Sequence, residues 1–212
     1  MTTGFAEKYG PWAFIAGAST GIGAALSHEA ARRGLNVLML ARGAARLDEA
    51  AQSVRHAHGV QVRTLAADLA DPDIAKTVQE AVADLEVGLF VYNAAVAPAG
   101  RFLDVGLDTH LLSVAVNCAT PVALCHLLGR PMAERGRGGI ALVSSNGAIA
   151  GAVNFSTYNA GKAFEWILAE TLWTEFGEAG VDVATILVGA TASPNSVHSV
   201  SARIHSNALP AL

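Results

Sequence analysis

The sequence predicts an α/β fold built on a doubly wound parallel sheet, and three observations predict it. Short apolar runs alternate with longer segments whose apolar residues recur at three and four positions, the alternation of parallel βαβ units. The short runs are apolar almost throughout instead of at every second residue, as expected of strands covered by helices on both faces. A glycine-rich turn, Gly17-Ala18-Ser19-Thr20-Gly21-Ile22-Gly23, leads from the first apolar run into the first amphipathic segment.

In chain order, Trp12–Gly17 is the first expected strand and Ile22–Arg33 the helix behind the glycine turn. Leu35–Ala41, reading LNVLMLA, is the second strand and Ala44–His58 the second helix. Val60–Ala66 and Leu89–Asn93 are the next strands, with a helix over Pro72–Leu85 between them. A long helix is expected over Leu107–Arg135, a strand at Ile140–Ser144, a helix over Thr157–Ala179 and a last strand at Val181–Val188. No repeat or linker divides this pattern, so 212 residues are expected to form one domain over residues 1–194. Residues 195–212 read as a short atypical tail and the C-terminal part of the fold as shortened. From Ala190 to Leu212 there is no aromatic residue, and four serines fall within Ser196–Ser206.

Composition narrows the function. A 52% hydrophobic share with only 15% charged residues describes a chain that can bury a large core. A net charge of -4 and the lack of any Lys or Arg run argue against a nucleic-acid surface and leave a small-molecule partner. Runs such as Leu35–Ala41 and Val181–Gly189 are far below the roughly 18 residues that suggest a membrane span. Glu7, Lys8 and Pro11 interrupt the N-terminus, so no secretory leader is expected and the cytoplasm is the expected compartment. Cys118 and Cys125 lie on one expected helix, about 10.5 Å apart along its axis, which is beyond disulfide reach, so two buried free thiols are expected. The histidines share no metal-ligand spacing, and no metal is expected.

The chemistry lies in a few residues. Glycines at 17, 21 and 23 let the backbone approach a pyrophosphate, whose charge meets the free N–H groups of the helix starting near Ile22. A plain tight turn is the alternative, and the spacing differs from G-x-G-x-x-G. Tyr158 and Lys162, four apart on one helix, share a face, and taken alone such a pair reads first as a solvated helix surface. A phenol alone is a poor acid or base at neutral pH, and an adjacent ammonium favours its ionised form. After the second strand, Arg42 follows Ala41 where a carboxylate would bind adenosine ribose hydroxyls. A guanidinium without that carboxylate suits a 2′-phosphate; a surface Arg is the alternative.

The glycine spacing, continued by Asp68, Asn93-Ala94-Ala95, Asn117, Ser144-Ser145 and Tyr158-x-x-x-Lys162, resembles the short-chain dehydrogenase/reductase family over about residues 10–194. The resemblance implies a Rossmann-type fold and a hydride exchanged between a nicotinamide dinucleotide and a carbonyl or alcohol, apolar by the small residues Gly147–Val153. Tyr158 would be the acid/base and Ser145 would hold the substrate oxygen; a strand-end hydroxyl capping a turn is the alternative role of Ser145, and Ser144 is the less favoured candidate. Lys162 would support Tyr158 and hold the nicotinamide ribose, and Asn117 would distort its helix and hold a water. The dinucleotide would lie against Gly17, Ser19, Thr20, Gly21, Ile22, Gly23, Arg42, Asp68, Leu69, Asn93, Ala94, Ala95 and Gly189, with Tyr158 and Lys162. NADP(H) is the expected cofactor, with NAD(H) the alternative. A cap for the following helix is the alternative role of Asp68, and a tolerated polar residue that of Asn117.

Three departures stand out. The family's Asn-Asn-Ala-Gly is here Tyr92-Asn93-Ala94-Ala95, its Pro-Gly after the sixth strand is Val188-Gly189, and its following Thr aligns with Ser193, ahead of Pro194. The resemblance further implies a homodimer or homotetramer packed through Leu107–Arg135 and Thr157–Ala179. The alternative function is a catalytically weak or silent dinucleotide-binding relative acting through its oligomer or a protein partner.

Overall fold

The computed structural model describes residues 3–189. The expectations about Ser193, Pro194 and residues 195–212 therefore lie outside the described residues. Six strands, β1 (Trp12–Ala16), β2 (Asn36–Ala41), β3 (Val62–Ala66), β4 (Val87–Tyr92), β5 (Gly138–Ser145) and β6 (Val181–Val188), form one parallel sheet in the order β3-β2-β1-β4-β5-β6. The helices are α1 (Thr3–Tyr9), α2 (Gly21–Arg32), α3 (Ala44–His58), α4 (Ile74–Ala81), α5 (Leu107–Val114), α6 (Thr120–Arg135) and α7 (Ser156–Gly177).

Alternate strand residues serve opposite faces. Phe14, Leu38, Leu40, Phe90, Tyr92, Ile140 and Leu142 join a core with α4, α6 and α7. Ala13, Ile15, Val37, Met39, Val91 and Val143 join a second core with α2 and α3. Both faces are dry, which is why the strands read as continuous apolar runs. Strand order reverses between β1 and β4, so the crevice beyond their carboxyl ends is the place for a ligand in such a sheet.

Four details differ from the sequence expectation. Helix α1, too short to show a period, holds Phe5 and Tyr9 against the second core, and Arg137 donates to the carbonyls of Glu7 and Gly10. Helix α4 is shorter than Pro72–Leu85 because Asp71 accepts the Asp73 N–H at 2.9 Å, a turn that delays the helix to Ile74. The stretch Leu107–Arg135 is not one regular helix: a π-turn at Ala115–Ala119 separates α5 from α6. It is also the one stretch among the described residues long and apolar enough to cross a membrane, unlike the shorter runs weighed from the sequence. Its Val116, Leu124, Cys125, Leu128 and Met132 are instead core residues against the sheet. Finally, Cys118 is only partly buried, whereas Cys125 is buried; both are free thiols.

Candidate active site

The glycine turn is held at the carboxyl end of the sheet by its own backbone. Gly17 and Ala18 donate to the Leu40 carbonyl at 2.8 and 3.0 Å, joining the end of β1 to the end of β2. Gly17 has φ +83°, and a Cβ there would sit 2.8 Å from the Ala94 backbone. At Gly23 a Cβ would fall 2.0 Å from the Gly17 carbonyl oxygen. Neither position tolerates a side chain, so the turn is a narrow backbone cradle at the start of α2, whose first-turn N–H groups have no helical partner. Ser19 and Thr20 border it, and Thr20, next to Gly21 and Ile22, makes no capping bond with its side chain. A dinucleotide pyrophosphate fits this cradle by shape and by charge.

Neighbouring residues complete the crevice. Asn93 donates to the Gly17 carbonyl at 3.0 Å, fixing Ala94 over the turn, and Ala95 beyond it is exposed. Arg42, two residues past the Leu40 carbonyl, is exposed and makes no hydrogen bond or ion pair among the described residues. Asp68 accepts the Ala70 N–H at 3.0 Å, a local turn, while Leu69 is buried and its carbonyl accepts Thr120 Oγ1 at 2.6 Å. The cap position of α4 belongs to Asp73, so Asp68 is free of the alternative helix-capping role. Gly189 follows β6 beside Asn146.

The remaining residues meet around the first turns of α7. Ser145 ends β5 and accepts the Gly147 N–H at 3.1 Å. Ser144 faces the other way, donating to the Lys162 carbonyl at 2.6 Å in the core. Tyr158 lies one turn into α7 against Phe155, and its hydroxyl takes no hydrogen bond from a described residue. His110, buried on α5, faces Thr157 Oγ1 at 3.0 Å and the Phe102 carbonyl at 3.0 Å, so one ring nitrogen donates to Phe102 and the other accepts from Thr157. That clamp beside Tyr158 has no signature in the sequence.

Asn117 occupies the π-turn and is fully buried. It accepts the Val96 N–H at 2.9 Å and donates to the Val96 carbonyl at 2.7 Å, so the expected helix distortion is present and the side chain is spent on the segment after β4. Gly161 packs on it, since a Cβ there would come within 2.8 Å of the Asn117 Cβ. A tolerated polar residue would not be so fully used.

Lys162, expected to support Tyr158 and hold the nicotinamide ribose, is also tied into the core. Its ammonium is buried, donating to the Val143 carbonyl at 2.7 Å and to Glu165 Oε2 at 2.7 Å. Glu165 is fully buried and its Oε1 has no hydrogen-bond partner among the described residues. Burial drives the Glu165 carboxyl up to about 7, against the pull of the Lys162 ammonium. Burial first, and then the Glu165 charge, also raises Tyr92 and Cys125, the latter to about 12. The sequence held one clue to Glu165, its i+3 spacing from Lys162, which reads equally as an ordinary surface pair.

Two loops stand beside Tyr158 and Ser145. Gly100 N–H donates to the Asn154 carbonyl at 3.0 Å, bridging the segment after β4 to the one before α7. On these two segments Leu103, Ile149 and Val153 are exposed at 92%, 64% and 80% and form their apolar rim.

Comparison with known proteins finds relatives of the same fold. The family model described as short chain dehydrogenase matches residues 11–203. A 7beta-hydroxysteroid dehydrogenase of Collinsella aerofaciens is 34% identical over 189 residues, 89% of this chain and 72% of that relative. A solved 7beta-hydroxysteroid dehydrogenase structure superposes with a TM-score of 0.87 at 31% identity, over 95% of this chain and 80% of the other. A short-chain dehydrogenase from Sphingobium yanoikuyae, solved in complex with NADPH, gives 0.82 at 31% identity, over 86% and 72%.

Proposed function

Since the chain belongs to the short-chain dehydrogenase family, oxidoreductases that act on CH–OH and C=O groups with a nicotinamide dinucleotide, we propose that it is an NADP(H)-dependent reductase or dehydrogenase of apolar ketones and secondary alcohols, with Tyr158 as its acid/base. The observation that carries this reading is the placing of Ser145 and Tyr158. One ends β5 and the other opens α7, the segment between them is tied by the Asn159 side chain to the Ala150 carbonyl, and the Tyr158 hydroxyl is unengaged.

The bound nicotinamide supplies the hydride. The chain's own residues do the rest. Ser145 Oγ hydrogen-bonds the substrate oxygen and Tyr158 gives it a proton, or takes one back in oxidation. The glycine turn and Asn93–Ala95 seat the dinucleotide, and Lys162 orients its ribose. Arg42, without a competing carboxylate at Ala41, binds the 2′-phosphate, a preference that the NADPH-bound relative supports. The apolar rim and the relatives named for 7beta-hydroxysteroids favour a bulky apolar substrate. The free thiols Cys118 and Cys125 suit a reducing cytoplasm. A catalytically silent role is not favoured, because the relatives are named for activities and the tetrad is complete in this chain.

The test is Tyr158→Phe against a panel of steroid and simpler apolar ketones and alcohols, following absorbance of the reduced cofactor. Turnover is expected to fall on the order of 100- to 10,000-fold with NADPH affinity nearly unchanged. A variant that keeps most of the wild-type turnover would disprove the acid–base role.

A further inference from the structure

Glu165 does nothing in the reaction as derived so far, yet it is an expensive residue where it stands. It is fully buried on α7, one turn beyond Lys162, and Oε1 has no hydrogen-bond partner among the described residues. The ionisable groups around it come from every packed element: Lys162 on α7 itself, Tyr92 on β4, Cys118 on the π-turn and Cys125 on α6. Lys162 alone among them is a cation, and the Tyr92 hydroxyl is already committed to the Val116 carbonyl. Burying an ion pair contributes little or nothing to stability compared with apolar side chains of similar volume. The pair is therefore poorly explained as a fold-stabilising contact.

What the carboxylate does accomplish is geometric and electrostatic. An ammonium has three donors, and here two are fixed, one by the Val143 carbonyl and one by Glu165. We propose that Glu165 is a positioning residue for hydride transfer: with the Val143 carbonyl it anchors the Lys162 ammonium from the core side, leaves one donor for the cofactor, and cancels part of the positive charge that Tyr158 experiences. This rests on the assignment of Tyr158 and Lys162 to the reaction. Burial brings the Glu165 carboxyl up to about 7, so the cancellation is switched within the neutral range. Above about 7 the carboxylate is charged and masks Lys162; below it the carboxyl is neutral and the ammonium stands uncompensated.

Glu165→Gln keeps the shape and removes the charge. In oxidation of the best secondary alcohol of the panel with NADP+, the alkaline ionisation in kcat/KM is expected to move to lower pH by roughly one unit. Glu165→Asp, which keeps the charge, is expected to stay near the wild-type profile. A second readout needs no turnover. The oxidised nicotinamide is cationic, so removing a nearby anion should raise the ratio of the NADP+ to the NADPH dissociation constant roughly threefold or more, measured by tryptophan fluorescence. A purely structural Glu165 would change melting temperature while leaving both the profile and this ratio in place, and that result overturns the proposal. Should neither variant fold, the wild-type profile from about pH 5 to about pH 10 decides, because the raised Glu165 carboxyl beside Lys162 adds a second ionisation, above the ordinary carboxylate range, to that of Tyr158. A profile with a single ionisation overturns the proposal. Loss of turnover in Tyr158→Phe with unshifted Glu165→Gln would sink the role of Glu165 alone, and full turnover in Tyr158→Phe would sink the underlying assignment.

Discussion

At the residue scale the site combines groups that are open to a ligand with groups that are fully committed. Tyr158 and Arg42 are open and Ser145 accepts only the Gly147 N–H, whereas Asn117 and Ser144 are engaged by the protein and Lys162 has two of its three donors so engaged. In the proposed reading, cofactor choice turns on Arg42. Replacing Ala41 by Asp together with Arg42→Ala puts a carboxylate where ribose hydroxyls would lie and removes the phosphate partner. Hydrogen bonds to charged groups contribute about 1.5–3 kcal/mol each, so the NADPH-to-NADH affinity ratio is expected to fall by at least tenfold. Titration of both reduced cofactors measures it, and a wild-type protein that binds NADH more tightly than NADPH contradicts the role given to Arg42. Arg42 was legible in the sequence because it follows a strand end by one residue. The His110 clamp on Thr157 and Phe102 was not, because its partners lie 47 and 8 residues away and nothing local marks them.

At the element scale the π-turn is the least regular part of the fold and the most used. An extra residue in that turn of the Leu107–Arg135 stretch directs Asn117 toward the segment after β4, where it satisfies both backbone groups of Val96. Thr120 holds the same turn from its other side, donating to the carbonyls of Leu69 at 2.6 Å and Ala115 at 3.0 Å. Asn117→Ala deletes both bonds and leaves the Val96 N–H without its partner. The expected cost is about 1–3 kcal/mol, read as a melting temperature lower by several degrees. Because Asn93–Val96 also covers the glycine turn, NADPH affinity should weaken in the same variant. A normal melting temperature together with normal NADPH affinity would show that the Val96 clamp is dispensable. The sequence marked Asn117 as an unusual helix residue and could not show what it holds.

At the scale of the whole molecule, two helical faces are too apolar for open water. Leu107, Leu111 and Val114 on α5 with Val122 on α6, and Phe164, Ile167 and Trp173 on α7, are between 40% and 69% exposed. Covered by a second copy of the chain, these faces would bury the contiguous apolar surface that a soluble monomer rarely displays. A homodimer or homotetramer is therefore expected in sedimentation at micromolar concentration, and Leu111→Glu combined with Ile167→Glu should convert it to monomer. A wild-type protein that sediments only as monomer contradicts this.

The sequence by itself determined what local period and spacing encode. Continuous apolar runs specified parallel strands, three-and-four spacing specified helices, and the glycine turn with Tyr158-x-x-x-Lys162 marked the two halves of the candidate site. These features depend on neighbours within a few residues, so they can be read along the chain. Only the tertiary structure decided which of the polar residues are buried and with whom. Lys162 and Glu165 form a spacing that on an exposed helix would be an ordinary ion pair; the packing of β4, the π-turn and α6 around them makes it a dry one. Burial is set by elements distant in sequence, and it is burial that converts a common pair of residues into one whose charge state can be shifted and used.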